Sequence, residues 1–427
     1  MQFIINTKCN PENQWWQPVL STETISAKRC YVSEHATYTV LNATTENEQT
    51  RHYRSVVLDS DLSVLSIAPP KSIPNESFME KYPDDDLSNI QCSEIVEGTM
   101  INLFYDAKAK TWEIATKGCV GGNNHYFRTQ YEFNKDYMPQ LSFRDMFLDA
   151  LGVAPKTPLN DVPLFQKLDN TYIYSFVVQH PYNHLVLTID KPAIYLVAVF
   201  RFVSNHASFG ELPYTCGTMH VIENTSMVQT VPLDTVENVF AGQVQFPAKF
   251  AVTSYEQVQE VICNSAMGVM LYNPTTGDRT TLVAPEYNRK KAIRGNHPNS
   301  QYLFLELVKN DQYSEFLAEF PMYQYLFEEF ERLIEQVVRQ THFAYMIYFI
   351  KKRRDIVIDK PIFCFIHRLH NEVFIPSQNT LVINKREIRM HFYKLAVKEQ
   401  FYLLNYKTMV LQMPQLEPLC RTDEIGA

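Results

Sequence analysis

Cysteine pairs are missing from this sequence. Its 8 cysteines, Cys9, Cys30, Cys92, Cys119, Cys216, Cys263, Cys364 and Cys420, stand singly, without the close spacing that a zinc ribbon or a dithiol redox motif requires. Free, mostly buried thiols in a reducing compartment are expected instead. A basic start leading into an apolar run is missing too. The chain opens MQFIINTKCNPENQWW, and no stretch of membrane-spanning length is free of charge, so neither a signal peptide nor a transmembrane segment is expected, and no membrane partner. Positive charge is not in excess: Lys plus Arg total 39 against 47 Asp plus Glu, a net charge of −8. Contact with nucleic acid therefore requires a local basic patch, because the whole molecule does not attract polyanions. Internal repeats, low-complexity tracts, an HExxH pattern and an evident Ser/His/Asp or Cys/His arrangement are also absent.

What is present suits a folded protein. Hydrophobic residues make up 45% and charged residues 20% of 427 positions, enough for more than one core, so two domains are expected. Short apolar runs separated by turn residues read as hairpins: Tyr53 to Asp59 with Leu62 to Ala68 about Ser60-Asp61, then TMINLFYD with TWEIAT, closed by Gly118, Gly121 and Gly122. Ser142 with Asp145 and a distal Gly152 bracket a short helix. Tyr172 to Gln179, Leu185 to Ile189 and Ile194 to Val203 are β-rich. Ser254 with Gln257 opens a helix to about Cys263, GVMLYNPTTGDRTTLV is a hairpin, and Pro285 and Gly295 bracket the helix EYNRKKAIR.

Past Pro298 the pattern becomes helical. A long helix is predicted from Pro321 to Arg354, carrying Tyr325, Phe327, Phe330, Leu333, Ile334, Val337 and Val338 and closed by KKRR, with shorter ones over Ile362 to Asn371 and Lys385 to Ala396. The boundary is expected near Gly295 to Ser300, giving domains 1–297 and 298–427.

Three features have chemical and structural readings. His367 and His370 share a helix face, yet without a third ligand a structural role outweighs a metal site. Lys351, Lys352, Arg353 and Arg354 suit RNA phosphates or the dipole of the helix they end. Gly118 to Gly122 could cradle a phosphate, but a turn is the commoner use.

A covalent nucleotidyltransferase needs a lysine to attack the α-phosphate of ATP, carboxylates near the ribose and for metal, and paired lysines for the phosphates. Several strings here stand in the order found in phage-type RNA ligases, and the chain resembles that family from about Tyr53 to Gly295. YRSVVLDSDLSVLSIAPPKSIPN resembles the leading strand and turn, with Arg54 and Lys71 in place. EIVEGTMINLFYD resembles the nucleophile motif with Glu97 and Gly98, and ATKGCVGGN the next segment with Lys117. YSFVVQHPYNHLVL is similar to the F-E-x through P-x-N stretch, keeping Pro181 and Asn183. AMGVMLYNPTTGDRTTLVAPEYNRKKAIRG resembles the E-G-x-V and K-x-K pair, keeping Gly268 and Pro285-Glu286-Tyr287.

The departures all run in one direction. Ile95 stands at the nucleophile, Val177 at the F-E-x glutamate, Met267 at the E-G-x-V glutamate, and Thr281 and Val283 at the lysine pair. An unneeded charge in a cleft carries a desolvation cost, so apolar replacement is the expected course once the reaction is lost. The resemblance implies an α+β fold: an antiparallel-sheet nucleotidyltransferase domain with a cleft, plus an all-helical C-terminal domain, similar to degenerate ligase-like chains of large DNA viruses. It implies a catalytically inactive protein without catalytic or metal residues that binds RNA ends or a nucleotide through Arg54, Lys71, Glu97, Gly98, Lys117 and Asn183, or scaffolds a viral nucleic-acid complex. Viral proteins are further implied partners, and the host cytoplasm at a viral factory, or the virion, the implied location. Two alternatives stand beside it: an active RNA ligase using Lys71 or Lys117 as a displaced nucleophile, in which case ATP and Mg2+ are cofactors, and a structural virion component.

Overall fold

The structure is a computed structural model describing residues 2–10, 15–16, 24–33, 36–45, 47, 50–61, 63–125, 141–214, 217–378 and 380–412. Leu62, Cys216 and Cys420, named above, lie outside the described residues. The chain divides into two compact units, the first ending at Asn296 and the second beginning at His297.

In the first unit the apolar alternation builds three sheets whose ladders are antiparallel. The largest runs, strand by strand, Cys119–Val120, Thr111–Thr116, Thr99–Asp106, Tyr172–Gln179, Ala193–Tyr214, Gly217–Val231, Gln2–Asn10 and Trp15–Trp16. Its central strand, YIYSFVVQ, is apolar on consecutive positions because both its faces are covered. On one side Tyr174, Phe176 and Val178 join a core with Trp112, Phe147, Phe165 and Phe240. On the other, Ile173 packs with Phe200, Val228 and the second sheet's Leu41, Val56, Leu58 and Val64. That second sheet orders Ile25–Ser33, Ala36–Ala43, Val56–Leu58 and Val64–Ser66.

The third sheet orders Lys249–Phe250, Gln91–Glu94, Gly268–Tyr272 and Arg279–Val283. Strand alternation divides its side chains. Cys92, Val269, Leu271 and Leu282 point to a core shared with Phe78, Val258, Ile262 and Tyr287, contributed by the helices Asn75–Lys81, Tyr255–Asn264 and Pro285–Arg294. The opposite face turns to the large sheet.

The helix signals act where they stand in sequence. Ser142 caps Phe143–Ala150 in a complete capping box with Asp145, Ser254 accepts from the Gln257 N–H, and Pro285 opens a helix that Gly295 ends at φ 61°. Leu185 to Ile189 departs from the β expectation: it is irregular, because its N–H groups are held by a buried carboxylate described below. Helices at Asn75–Lys81, Ser300–Lys309, Tyr313–Glu319 and Val397–Gln412 were not legible in the patterning.

Among the described residues every regular element of the second unit is a helix, so the architecture is α+β with a helical C-terminal unit, as the patterning predicts. Its core gathers aromatic rings: Phe304 lies 5.2 Å from Phe327 and 5.6 Å from Phe330, and Phe316 5.5 Å from Phe327. The long helix is shorter than expected. It spans Gln324–Tyr345 and relaxes into a π-turn over Met346–Ile350, so Lys351 to Arg354 lie beyond it, and Tyr325 is exposed.

Candidate functional site

The inner face of the third sheet and the facing strands of the large sheet bound a cleft of about 210 Å³. Two cross-strand rows form its floor: Gln91, Tyr272 and Arg279 stand side by side, as do Ser93 and Met270, with Thr281 paired to Met270 at the edge outside the lining. Val197, Ala198, Phe200 and Thr230 line the cleft from the large sheet, and Phe246 and several prolines complete the wall.

The positions that depart from the ligase pattern are brought together next to this floor. Gly268 pairs with Val283, the Ile95 N–H donates to the Gly268 carbonyl at 3.1 Å, and the Ala284 N–H to the Met267 carbonyl at 2.9 Å. Thr281 and Val283 share a strand face with Arg279 by alternation. Val177 lies on the large sheet, yet touches the same junction: a Cβ on Gly98 would stand 2.7 Å from Val177 Cγ1 and 2.4 Å from the Val178 carbonyl oxygen. None of the five carries a charge that could attack or grip a phosphate.

Glu97 is a buried hub. Its carboxylate accepts from the N–H groups of Leu185 at 2.6 Å, Val186 at 3.0 Å and Leu187 at 3.1 Å. Its carbonyl accepts from Gln179 Nε2 at 3.0 Å. Burial, and then the Glu97 charge, raise the Tyr287 hydroxyl well above its ordinary range. Asn183 donates to Thr99 Oγ1 at 2.7 Å. Glu97, Gly98 and Asn183 thus stitch the crossing between the two sheets, a role that backbone chemistry explains without a ligand.

The cations separate by partner. Arg54 is half-buried and donates to the Pro69 carbonyl at 3.3 Å, while the Lys71 N–H donates to the Arg51 carbonyl at 3.1 Å. Lys117 is exposed on the turn after Thr111–Thr116, its carbonyl held by Asn42 Nδ2 at 2.8 Å. Lys71 follows the Pro69-Pro70 wall in sequence and Arg54 reaches it through the Pro69 carbonyl, but none of these three lines the cleft among the described residues; Arg279 does. Its signal in the sequence was strand alternation: it stands two residues before Thr281 on the same face.

Asp278, one residue away, points to the other side and takes the neighbouring cations. Arg51 Nη1 lies 2.7 Å and Lys81 Nζ 2.6 Å from its oxygens, and the Tyr82 hydroxyl donates at 2.7 Å. Burial alone would raise the Asp278 pKa, but Lys81, Tyr82 and Arg51 together overcome it and hold the carboxyl well below the usual range. A depressed carboxyl stabilises the fold fully above its unfolded pKa of about 3.9 and loses that contribution as pH falls towards its folded value. Asp278→Asn is therefore expected to cost about 2–3 kcal/mol at pH 7 and to flatten the acid limb of a stability-against-pH curve below about pH 4. Urea titrations of both proteins at pH 7 and pH 3 check this. An equal difference at both pH values would remove the ion cluster as the cause.

The remaining sequence candidates have structural partners. The His370 ring stacks on Phe349 at 3.9 Å and its Nδ1 lies 3.1 Å from the Tyr345 hydroxyl, while His367 packs on Phe363 at 4.4 Å. No group of three metal-ligating side chains occurs among the described residues. Arg354 lies over the Tyr348 ring and Arg353 pairs with Asp355. Gly121 and Gly122 form a left-handed turn whose carbonyls accept from Arg144. No helix is long and apolar enough to cross a membrane among the described residues.

No protein-family model matches the chain. A curated relative, the immediate-early protein ICP-46 homolog of Invertebrate iridescent virus 6, is 20% identical over 303 residues, covering 65% of this chain. The chain spans only 57% of that relative's length. Similar solved structures include two forms of an archaeal ATP-dependent RNA ligase, each 8% identical. Form 1 has a TM-score of 0.38 over 71% of this chain and 67% of its own; form 2 has 0.39 over 90% and 75%. Naegleria gruberi RNA ligase with PPi is 8% identical with a TM-score of 0.31, over 64% of this chain and 98% of its own. At these TM-scores the likeness is loose, and no residue role is carried across from them.

Proposed function

We propose that this chain is an RNA-ligase-like protein that no longer transfers adenylate and instead binds a nucleotide or an RNA end in the cleft between its large and third sheets. The observation that supports it most is convergence. Ile95, Val177, Met267, Thr281 and Val283 come from three separate strings of sequence, and backbone pairing and the close packing of Gly98 bring those strings to one junction beside a cleft. Unrelated strands matched to a motif series by chance would scatter.

Each position is apolar or uncharged where adenylyl transfer needs a nucleophile, a carboxylate or a phosphate-gripping lysine. Isoleucine has no side-chain nitrogen with which to form a phosphoramidate. What remains is a small cleft with aromatic walls and positive charge, which suits binding rather than bond-making. In this reading the ligase-like domain is 1–297 and the helical domain 298–427. A viral relative supports a setting among viral proteins, at a viral factory in the host cytoplasm or in the virion.

Incubation with α-labelled ATP and magnesium, followed by denaturation, is expected to leave no label on the chain. Label mapped to Lys71 or Lys117 would replace this reading with that of an active ligase using a displaced nucleophile. The same preparation is expected to bind AMP or a short RNA in solution. Failure to bind either would leave the structural virion component as the better account.

A further inference from the structure

Among the described residues, one cation bordering the cleft has no counter-charge. Arg279 borders the cleft, its Nε is sealed from solvent, and that nitrogen has no hydrogen-bond partner. No carboxylate pairs with its guanidinium among the described residues: Asp278 faces away and holds Arg51 and Lys81. The one carboxylate on the cleft wall, Asp234, is paired with Lys249 at 2.6 Å. Burial, and after it the nearby Arg54 charge, push the Arg279 guanidinium down to about 9 from a value near 12.5. Thr230, also on the wall, has a buried hydroxyl without a well-formed hydrogen bond, although the Tyr272 hydroxyl lies beside it.

A desolvated arginine left unpaired destabilises the protein that carries it. It is retained to advantage where a ligand supplies the counter-charge, and a guanidinium is matched by the paired oxygens of a phosphate. The rest of the wall specifies more. Tyr272, Phe246 and Pro274 give flat apolar surface for a base or ribose. At about 210 Å³ the space is below the roughly 300–1,000 Å³ of drug-sized pockets, so it takes the phosphate and part of one nucleotide, with the rest at its mouth, and no duplex. Among the described residues the wall carries one carboxylate, Asp234, and it is paired to lysine.

We infer that Arg279 anchors the phosphate of a nucleotide, free or at an RNA 5′ end, inside this cleft without a bridging metal ion. The inference rests on the binding function proposed above and adds its specificity-determining residue, which lies within the string resembling the E-G-x-V and K-x-K pair but at none of its motif positions. Arg279 stands one strand step from Thr281, so the cleft keeps a cation while the lysine pair is gone. Its reach is different, and no adenylate chemistry follows from it.

The test uses the full chain in EDTA, with four probes: AMP, adenosine, and an RNA decamer bearing either a 5′-phosphate or a 5′-hydroxyl. The phosphorylated member of at least one pair is expected to bind about tenfold tighter or more, the equivalent of a single charge-assisted contact. The AMP arm identifies a free nucleotide and the decamer arm an RNA end. Arg279→Met is expected to equalise the members of the pair while raising the melting temperature, since it removes a guanidinium whose Nε is sealed from solvent without a partner. Arg279→Lys is expected to keep part of the preference, and it serves in place of the methionine variant should that one not fold. If the phosphate preference survives Arg279→Met, or the wild type binds both members of each pair equally, the inference fails while the binding function stands. If the wild type binds no probe, both fail. If the preference appears only when magnesium replaces EDTA, the metal-free anchor is wrong.

Discussion

Replacing Ile95 by lysine is expected to leave the protein unable to form a covalent adenylate or to join RNA strands. The position itself can accept the change. Ile95 is half-buried just beyond the Gln91–Glu94 strand, where a long side chain can reach the cleft or solvent. The obstacle is what surrounds it. A lysine restored there would meet Val177 and Met267 in place of carboxylates, and Thr281 and Val283 in place of the lysines that would hold a triphosphate. Groups of this kind act as a unit, so restoring one member leaves a deficit on the order of 10⁴ or more relative to the complete set. The readout is transfer of label from α-labelled ATP and joining of a nicked RNA by the variant, each with magnesium. Measurable strand joining by this single substitution would show that the positions assigned around Ile95 are wrong.

Removing the Glu97 carboxylate is expected to be the most destabilising single polar change in the first unit. Three successive N–H groups, from Leu185 to Leu187, donate to it in a buried setting, and this segment has no sheet partner to turn to. Glu97→Ala would leave those donors unsatisfied and a cavity behind them, a loss of about 3–5 kcal/mol. Glu97→Gln keeps one acceptor oxygen and should cost about half as much.

Gly98→Ala offers an independent reading of the same junction. Gly98 has φ 156°, and an added Cβ would stand 2.4 Å from the Val178 carbonyl oxygen, a clash with backbone that side-chain movement cannot relieve. Urea denaturation followed by circular dichroism, alongside AMP binding, separates the two possible roles. If Glu97→Ala keeps wild-type stability and loses only ligand binding, Glu97 belongs to the ligand site rather than to the fold. Its resemblance to a ligase motif then has a functional basis after all.

Much of the first unit was legible because its signals are local. The Ser142–Asp145 capping box closes within a single turn, and Pro285 and Gly295 act through their own backbone torsions. The hairpins Thr99–Asp106 with Thr111–Thr116 and Gly268–Tyr272 with Arg279–Val283 follow from alternation across a short turn. Leu185 to Ile189 misled for a related reason. Its apolar spacing matches a strand, but its backbone donors found a carboxylate 88 residues earlier in the chain. The short helix Ser300–Lys309 was hidden by apolar residues on more than one face, and Tyr313–Glu319 by its length of 7 residues, under two turns.

The sequence by itself determined the α+β character, the change to helices beyond Pro298 and the uncharged side chains at positions 95, 177, 267, 281 and 283, since each depends on residue type and near neighbours. Only the tertiary structure decided which charges are neutralised. Asp278 and Arg279 are adjacent in sequence and look like a matched pair, yet at the start of the strand Arg279–Val283 they turn to different surroundings. Asp278 meets Arg51, 227 residues away, and Lys81, 197 residues away, whereas Arg279 meets a cleft and another arginine. The energy of a charge depends on its solvent exposure and on the charges within a few ångströms. Those neighbours exist only once distant strands have been brought side by side.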